Sequence, residues 1–184
     1  MAGARGAVRI IGGRWRGTRI TVGATPGLRP SADRVRETLF NWLAPCLDGA
    51  RCLDLYAGSG VLGFEALSRG AAAAVLVERD AAAAVALTQL AARLGTGAAE
   101  VVRADVLDFL ATPARPFDIV FVDPPFAADV RPQVLARLTR GWLAPHALVY
   151  LESAREAADP AAPWQVYKSG TTRQASYKLI RYAG

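Results

Sequence analysis

Two stretches of this 184-residue chain carry residue types and spacings that could do chemistry. The first, Leu53-Asp54-Leu55-Tyr56-Ala57-Gly58-Ser59-Gly60-Val61-Leu62-Gly63, passes from an apolar run into a helical pattern. Glycines there let the backbone turn tightly and approach a ligand, with the N–H groups of a helix start facing it. On its own, Gly58-x-Gly60-x-x-Gly63 also matches a dinucleotide fingerprint, with Glu78 at a suitable distance to hold a ribose. The acids discriminate. Asp54 ends the strand before the loop, where it would oppose a pyrophosphate but would suit the sulfonium and ammonium charges of S-adenosylmethionine. Glu78 ends the next strand, placed for two ribose hydroxyls, and Asp105 follows the third, placed for an adenine amine. Tyr56, Ala57, Gly58, Gly60, Arg79 and Val106 complete the candidate cofactor set. The competing structural reading is that each acid caps the helix after it.

The second stretch is Phe121-Val122-Asp123-Pro124-Pro125-Phe126. Consecutive prolines cannot continue a sheet ladder, and they hold the backbone extended. The result is a stiff loop presenting the Asp123 carboxylate and the Pro124 carbonyl in fixed directions. An aryl amine is a poor nucleophile because its lone pair is delocalised into the ring. Two acceptors gripping its hydrogens favour a more tetrahedral nitrogen, and an in-line displacement follows from orientation and electrostatics. Asp123, Pro124, Pro125 and Phe126 form the candidate catalytic set, with Phe126 stacking on an extruded base. The alternative is a plain Pro-Pro turn with a buried Phe. Methylation of a base amine is therefore the leading reading, and a nicotinamide-dependent dehydrogenase on the same fold stays open.

The elements that must position these residues alternate between strand and helix, which predicts an α/β doubly wound, mostly parallel seven-stranded sheet of the Rossmann-like kind. Extended runs over 8–11 and 18–22 flank Gly12-Gly13-Arg14-Trp15-Arg16-Gly17, a small basic hairpin that with a 26–30 linker forms an N-terminal extension (1–30) to the main domain (31–184). Val35, Leu39, Trp42 and Leu43 repeat with helical spacing over 33–44, capped by Ser31 or Asp33 and ended by Pro45. Strands follow at 52–56, 74–78, 100–103, 117–123 and 147–152. Helices lie between them at 61–68, 81–94, 106–111 and 130–140. Runs 165–168 and 175–182 read as a closing antiparallel pair. Trp42, Trp142 and Trp164 read as packing residues and His146 as an incidental surface residue.

Charge is segregated. Residues 1–36 hold eight arginines against Asp33, residues 37–163 hold ten basic against fifteen acidic side chains, and residues 164–184 hold four basic ones and no acid. Genome bias toward arginine would not segregate charge in this way, so the ends predict a polyanion-binding surface. Arg9, Arg14, Arg16, Arg19, Arg29 and Arg34 are the candidate nucleic-acid contacts, with a salt-bridged helix face as the alternative for Arg34 and Arg36. Arg29 and Asn41 are candidates for closing over the cofactor or the target base. Cys46, Cys52 and His146 form no metal-binding cluster, so no metal and no disulfide is expected. No leader and no run of the ~18 to 20 apolar residues that a spanning helix needs is found, so a cytoplasmic protein is the expectation, and a monomer is expected as well.

Taken with the glycine loop and the Asp-Pro-Pro-Phe run, four further blocks carry a family resemblance: Arg9-Ile10-Ile11-Gly12-Gly13-Arg14-Trp15-Arg16-Gly17, Leu28 to Leu43, Leu67-Ser68-Arg69-Gly70, and Gly141-Trp142-Leu143. Nearly the whole chain resembles the RsmD-type 16S rRNA (guanine-N2) methyltransferases. The resemblance implies S-adenosylmethionine as cofactor and methylation of guanine 966 on N2. It also implies a small ribosomal subunit, or a late assembly intermediate, as partner. Arg173 stands before Gln174 where the family often has Gly. The competing readings are a DNA adenine or cytosine amino-methyltransferase and a non-enzymatic rRNA assembly factor.

Overall fold

A computed structural model describes residues 6–21, 30–125 and 130–184. Arg29, Phe126, Val22 and most of the 26–30 linker, all named above, lie outside the described residues. The chain runs β1 (Ala7–Arg9), β2 (Arg19–Thr21), α1 (Pro30–Leu47), β3 (Arg51–Asp54), α2 (Val61–Ser68), β4 (Ala73–Glu78), α3 (Ala81–Arg93), β5 (Ala99–Arg103), α4 (Val106–Phe109), β6 (Phe117–Val122), α5 (Arg131–Leu138), β7 (Leu143–Ala154), β8 (Trp164–Thr171) and β9 (Ala175–Tyr182).

The seven-stranded sheet has the order β5-β4-β3-β6-β7-β9-β8, beside a separate two-stranded hairpin β1-β2. Strands β3 to β7 are parallel, and β9 joins β7 and β8 antiparallel. Alternation along each strand splits the core into two layers. Cys52, Leu76, Phe121 and Tyr150 face Leu39, Phe40, Phe64 and Leu87 of α1, α2 and α3. Leu53, Val77, Val120 and Val149 face Phe109, Val134 and Leu138 of α4 and α5. Strand β3 is continued through α2 to β4 on one side and lies against β6 on the other. The crevice at the carboxyl ends of β3 and β6 is thus the topological switch point, where ligands of open α/β sheets bind.

Three expectations are corrected. Helix α1 does not end at Pro45 but carries it inside, running from Pro30 to Leu47, so Ser31 and Asp33 lie within it. A proline in the last turn forfeits one intrahelical bond, and burial of Leu47 beyond it offsets that loss. Strand β7 starts at Leu143 rather than 147, because an irregular register between Phe117 and Ile119, with His146 at φ 65°, accommodates Pro145 in the strand. Arg36 is buried, with its guanidinium on the Arg9 carbonyl and the Asp33 carboxylate, and so is no surface residue.

The hairpin is fastened to the domain by α2. Glu65, with no exposed surface, accepts hydrogen bonds from the Ile11 N–H at 2.7 Å and the Gly12 N–H at 2.8 Å, and from Arg69 Nε at 2.7 Å. Ser68 Oγ accepts from the Trp15 N–H and donates to the Gly12 carbonyl, while the Ser68 carbonyl accepts from the Arg14 N–H. Gly13 has φ 75°, and a Cβ there would lie 1.8 Å from the Ser68 oxygen. Only glycine permits both that conformation and that approach.

Candidate active site

The parallel strands deliver their acids to one edge. Asp54 ends β3, Glu78 ends β4, Asp105 follows β5 and Asp123 follows β6. Asp54 is buried and its Oδ2 accepts the Gly63 N–H at 3.2 Å, at the start of α2. Burial pushes its pKa up to about 7, the Glu78 charge adds to this, and the Gly63 and Tyr56 N–H groups oppose it. A buried carboxyl in this condition regains its charge when a cation comes beside it.

Glu78 is half-buried; its Oε2 accepts from the Gly58 N–H at 2.9 Å and its Oε1 from the Asp80 N–H at 2.8 Å. Each oxygen keeps lone-pair capacity for a ribose hydroxyl. Asp105 is exposed and caps α4 by accepting the Leu107 N–H at 2.9 Å. Capping and ligand holding are therefore not exclusive at this edge: Asp54 and Asp105 spend only part of their acceptor capacity on a helix start, and Glu78 bonds the loop N–H groups while Asp80 caps α3. Tyr56 is half-buried within electrostatic reach of Asp105 and Arg79, and burial raises its pKa to about 12. Arg79 is exposed, Ala57 is buried, and Val106 is buried in the second core layer.

The glycines divide their work. A Cβ on Gly60 would strike Leu87 and Phe64, and one on Gly63 would strike Leu76, so these two serve close packing. Gly58, at φ 52°, has nothing nearer than the Tyr56 oxygen at 3.9 Å and faces open space. A buried acceptor wanting a cation, a half-buried carboxylate and an open glycine backbone fit a ligand with a cationic end and a ribose. They do not fit a pyrophosphate, which would meet Asp54.

Beyond β6, Asp123 is exposed, Pro124 buried and Pro125 exposed. The Asp123 pKa is raised by surrounding protein and by the charges of Glu152 and Asp54. Glu152 was missed by sequence reasoning, although an acid ending a parallel strand is the signal that singled out Asp54 and Glu78. Asn41 is exposed on α1.

Arg9, Arg14, Arg16, Arg19 and Arg34 are all exposed. Trp15 is half-buried against the core with the Arg14 guanidinium 4.1 Å from its ring centroid. Of the basic residues at the other end, Lys178 turns inward to Asp159 at 2.6 Å, whereas Arg181 lies over the exposed Tyr167 at 3.9 Å. Cys46 and Cys52 are free thiols. Among the described residues no cluster of His, Cys, Asp and Glu is arranged to hold a metal, and no helix is long and apolar enough to cross a membrane.

Comparison with known proteins agrees with this architecture. The family model described as "Conserved hypothetical protein 95" matches residues 8–181. The chain is 49% identical to ribosomal RNA small subunit methyltransferase D of Escherichia coli, covering 96% of this chain and 90% of that one. It is 43% identical to the protein of the same name in Haemophilus influenzae, covering 97% and 95% of the two chains. The solved yhhF structure of Escherichia coli superposes with a TM-score of 0.87 at 48% identity, covering 96% of this chain and 98% of that one. With residues 8–181 matched and identities of this size over nearly its full length, the chain belongs to the conserved hypothetical protein 95 family, that of the ribosomal RNA small subunit methyltransferases D.

Proposed function

We propose that this chain methylates the exocyclic N2 amine of a guanine in 16S rRNA, within the small ribosomal subunit or a late assembly intermediate, using S-adenosylmethionine. The observation that carries the reading is the Asp123-Pro124-Pro125 turn, which leaves β6 beside β3, where Asp54 is buried. Relatives named as ribosomal RNA small subunit methyltransferases support the substrate class. The cofactor, when bound, supplies a methyl group activated by a positively charged sulfur.

Asp54, Tyr56, Ala57, Gly58 and Gly60 would hold the cofactor's amino-acid end, and Glu78 its ribose. Arg79, Asp105 and Val106 would line its base. Asp54 stabilises positive charge, and Glu78 accepts hydroxyl hydrogens. Asp123 and the Pro124 carbonyl accept the two amine hydrogens and turn the nitrogen lone pair toward the methyl donor. The amine gives up one proton as it is alkylated, and Asp123 is the acceptor at hand. Arg9, Arg14, Arg16, Arg19, Arg29 and Arg34 hold RNA phosphates, a charge pattern that suits RNA.

Mass-spectrometric mapping of methylguanine in 16S rRNA, from cells with and without the protein, tests this reading. The modification should vanish without the protein and return with the wild-type chain but not with Asp123→Ala. An unchanged methylguanine map, or incorporation only into duplex DNA, would overturn it.

A further inference from the structure

Glu152 stands where the neighbouring strand places a second acceptor beside Asp123. Val122 on β6 pairs with Leu151 on β7, so the next residue on each strand, Asp123 just past the end of β6 and Glu152 still within β7, lie side by side. Adjacent strands are about 4.8 Å apart. The Glu152 carboxylate is also fixed from below. The hydroxyl of buried Tyr150, two residues back on the same face, donates to its Oε2 at 2.8 Å. Tyr177 lies opposite Glu152 on β9 and stacks on Trp42 at 5.5 Å. The acid is thus half-buried, held in one orientation and turned to the edge where the target amine is assigned.

Two adjacent carboxyls repel, and among the described residues neither forms an ion pair that would offset this. The repulsion within the pair costs the fold stability, but the pair matches a ligand that presents two adjacent hydrogen-bond donors. Guanine is the base that does so: its N2 amine adjoins N1–H. In adenine and cytosine the ring nitrogen flanking the exocyclic amine on the pairing edge carries a lone pair, which a carboxylate would repel.

We infer that Glu152 determines base specificity by accepting the guanine N1–H through its Oε1 while Asp123 and the Pro124 carbonyl hold the N2 amine. This rests on the guanine-N2 reading above and adds to it the group that rejects other amines. Burial first and then the Glu152 charge hold the Asp123 pKa up, which accords with the proximity of the pair. Sites built to bond a particular N–H discriminate strongly against analogues lacking it, because the buried acceptor is then left facing a lone pair.

The test uses small subunits reconstituted with guanine or 2-aminopurine at the modified position. 2-Aminopurine keeps the N2 amine but has an unprotonated N1. The wild-type chain should favour guanine in kcat/KM by about 100-fold or more. Glu152→Gln can rotate its amide to donate to N1. It should lower activity on guanine about 10-fold or more and raise the relative rate on 2-aminopurine, narrowing the ratio by at least about 10-fold. Calorimetry with S-adenosylhomocysteine confirms that the variant is folded. Should it not fold, the wild-type ratio alone decides, since equal methylation of both bases would overturn the inference. So would a Glu152→Gln variant that loses both activities in parallel, as a merely structural residue would. Wild-type protein that leaves guanine N2 unmethylated would instead sink the underlying function.

Discussion

Replacing Glu65 by glutamine tests whether one buried carboxylate fastens the hairpin to the domain. Glu65 accepts two backbone N–H groups and one Arg69 nitrogen, all within 2.8 Å. A glutamine offers one oxygen and one NH2, so at least one of the two N–H groups loses its acceptor, at a cost of roughly 1–3 kcal/mol. The charge that opposes Arg69 and buried Arg36 is lost as well. Breaking a buried pair by removing one partner costs about 3–5 kcal/mol; that figure already includes part of the lost hydrogen bonding and is lowered by Arg69's partial exposure, so the whole change should cost about 3–4 kcal/mol. For a chain of this size each kcal/mol moves Tm by roughly 2–4 °C, so Glu65→Gln should melt about 6–16 °C lower. Calorimetric melts of Glu65→Gln, Gly13→Ala and Gly17→Ala together form the assay. Gly13 and Gly17 share a positive φ, but an added Cβ meets the Ser68 oxygen only at Gly13. Gly17→Ala should therefore cost only the roughly 1–2 kcal/mol of the left-handed conformation, and Gly13→Ala distinctly more. A Glu65→Gln melt within about 0.5 kcal/mol of wild type, a difference ordinary for surface changes, would refute the reasoning. Equal costs for the two glycine variants would do the same.

Three other outcomes are expected. Because Asp54 has a folded-state pKa raised to about 7 from 3.8, its contribution to stability is full below pH 4, is lost as pH rises through 7 and is flat above; binding of S-adenosylhomocysteine should tighten from pH 6 to pH 8 with proton release, and pH-independent calorimetry or an unaltered profile in Asp54→Asn would contradict it. Asp123→Asn should lower kcat by about 100-fold or more while S-adenosylhomocysteine still binds, and equal losses in binding and turnover would remove Asp123 from the amine. Arg14→Ala with Arg16→Ala should weaken small-subunit binding and reduce its salt dependence by about one or two counterions with kcat kept, and an unchanged salt slope would clear these arginines of phosphate contact.

Much of the site was legible because strand-end acids and glycine loops announce themselves by spacing. Asp54, Glu78 and Asp123 could be placed on one edge before any fold was known, since parallel strands bring their carboxyl ends together. Glu152 ends the predicted 147–152 strand as Asp54 and Glu78 end theirs, but its bearing on Asp123 depends on β7 lying next to β6 in register, a long-range pairing that the local signal does not encode. The helix through Pro45 escaped for a related reason. Local propensity ends it there, and tertiary burial of Leu47 carries it on. Arg36 read as a surface charge because its cover, the Arg9 carbonyl, is supplied by a hairpin remote in sequence. Glu65 looked like an ordinary helical acid, and its purpose is visible only once the hairpin lies against α2.

Helix α2 has a consequence of its own as a spacer. Its first turn meets Asp54 through Gly63, and its last turn grips the hairpin through Glu65 and Ser68. It is eight residues long, about 12 Å of rigid rod. Inserting one residue in it would rotate the hairpin's grip by about 100° relative to the cofactor edge, while leaving both ends intact in sequence. The reach from the methyl donor to the basic arm is thus set by a helix length rather than by any residue that touches a ligand. Evolution can retune that reach only in helical steps.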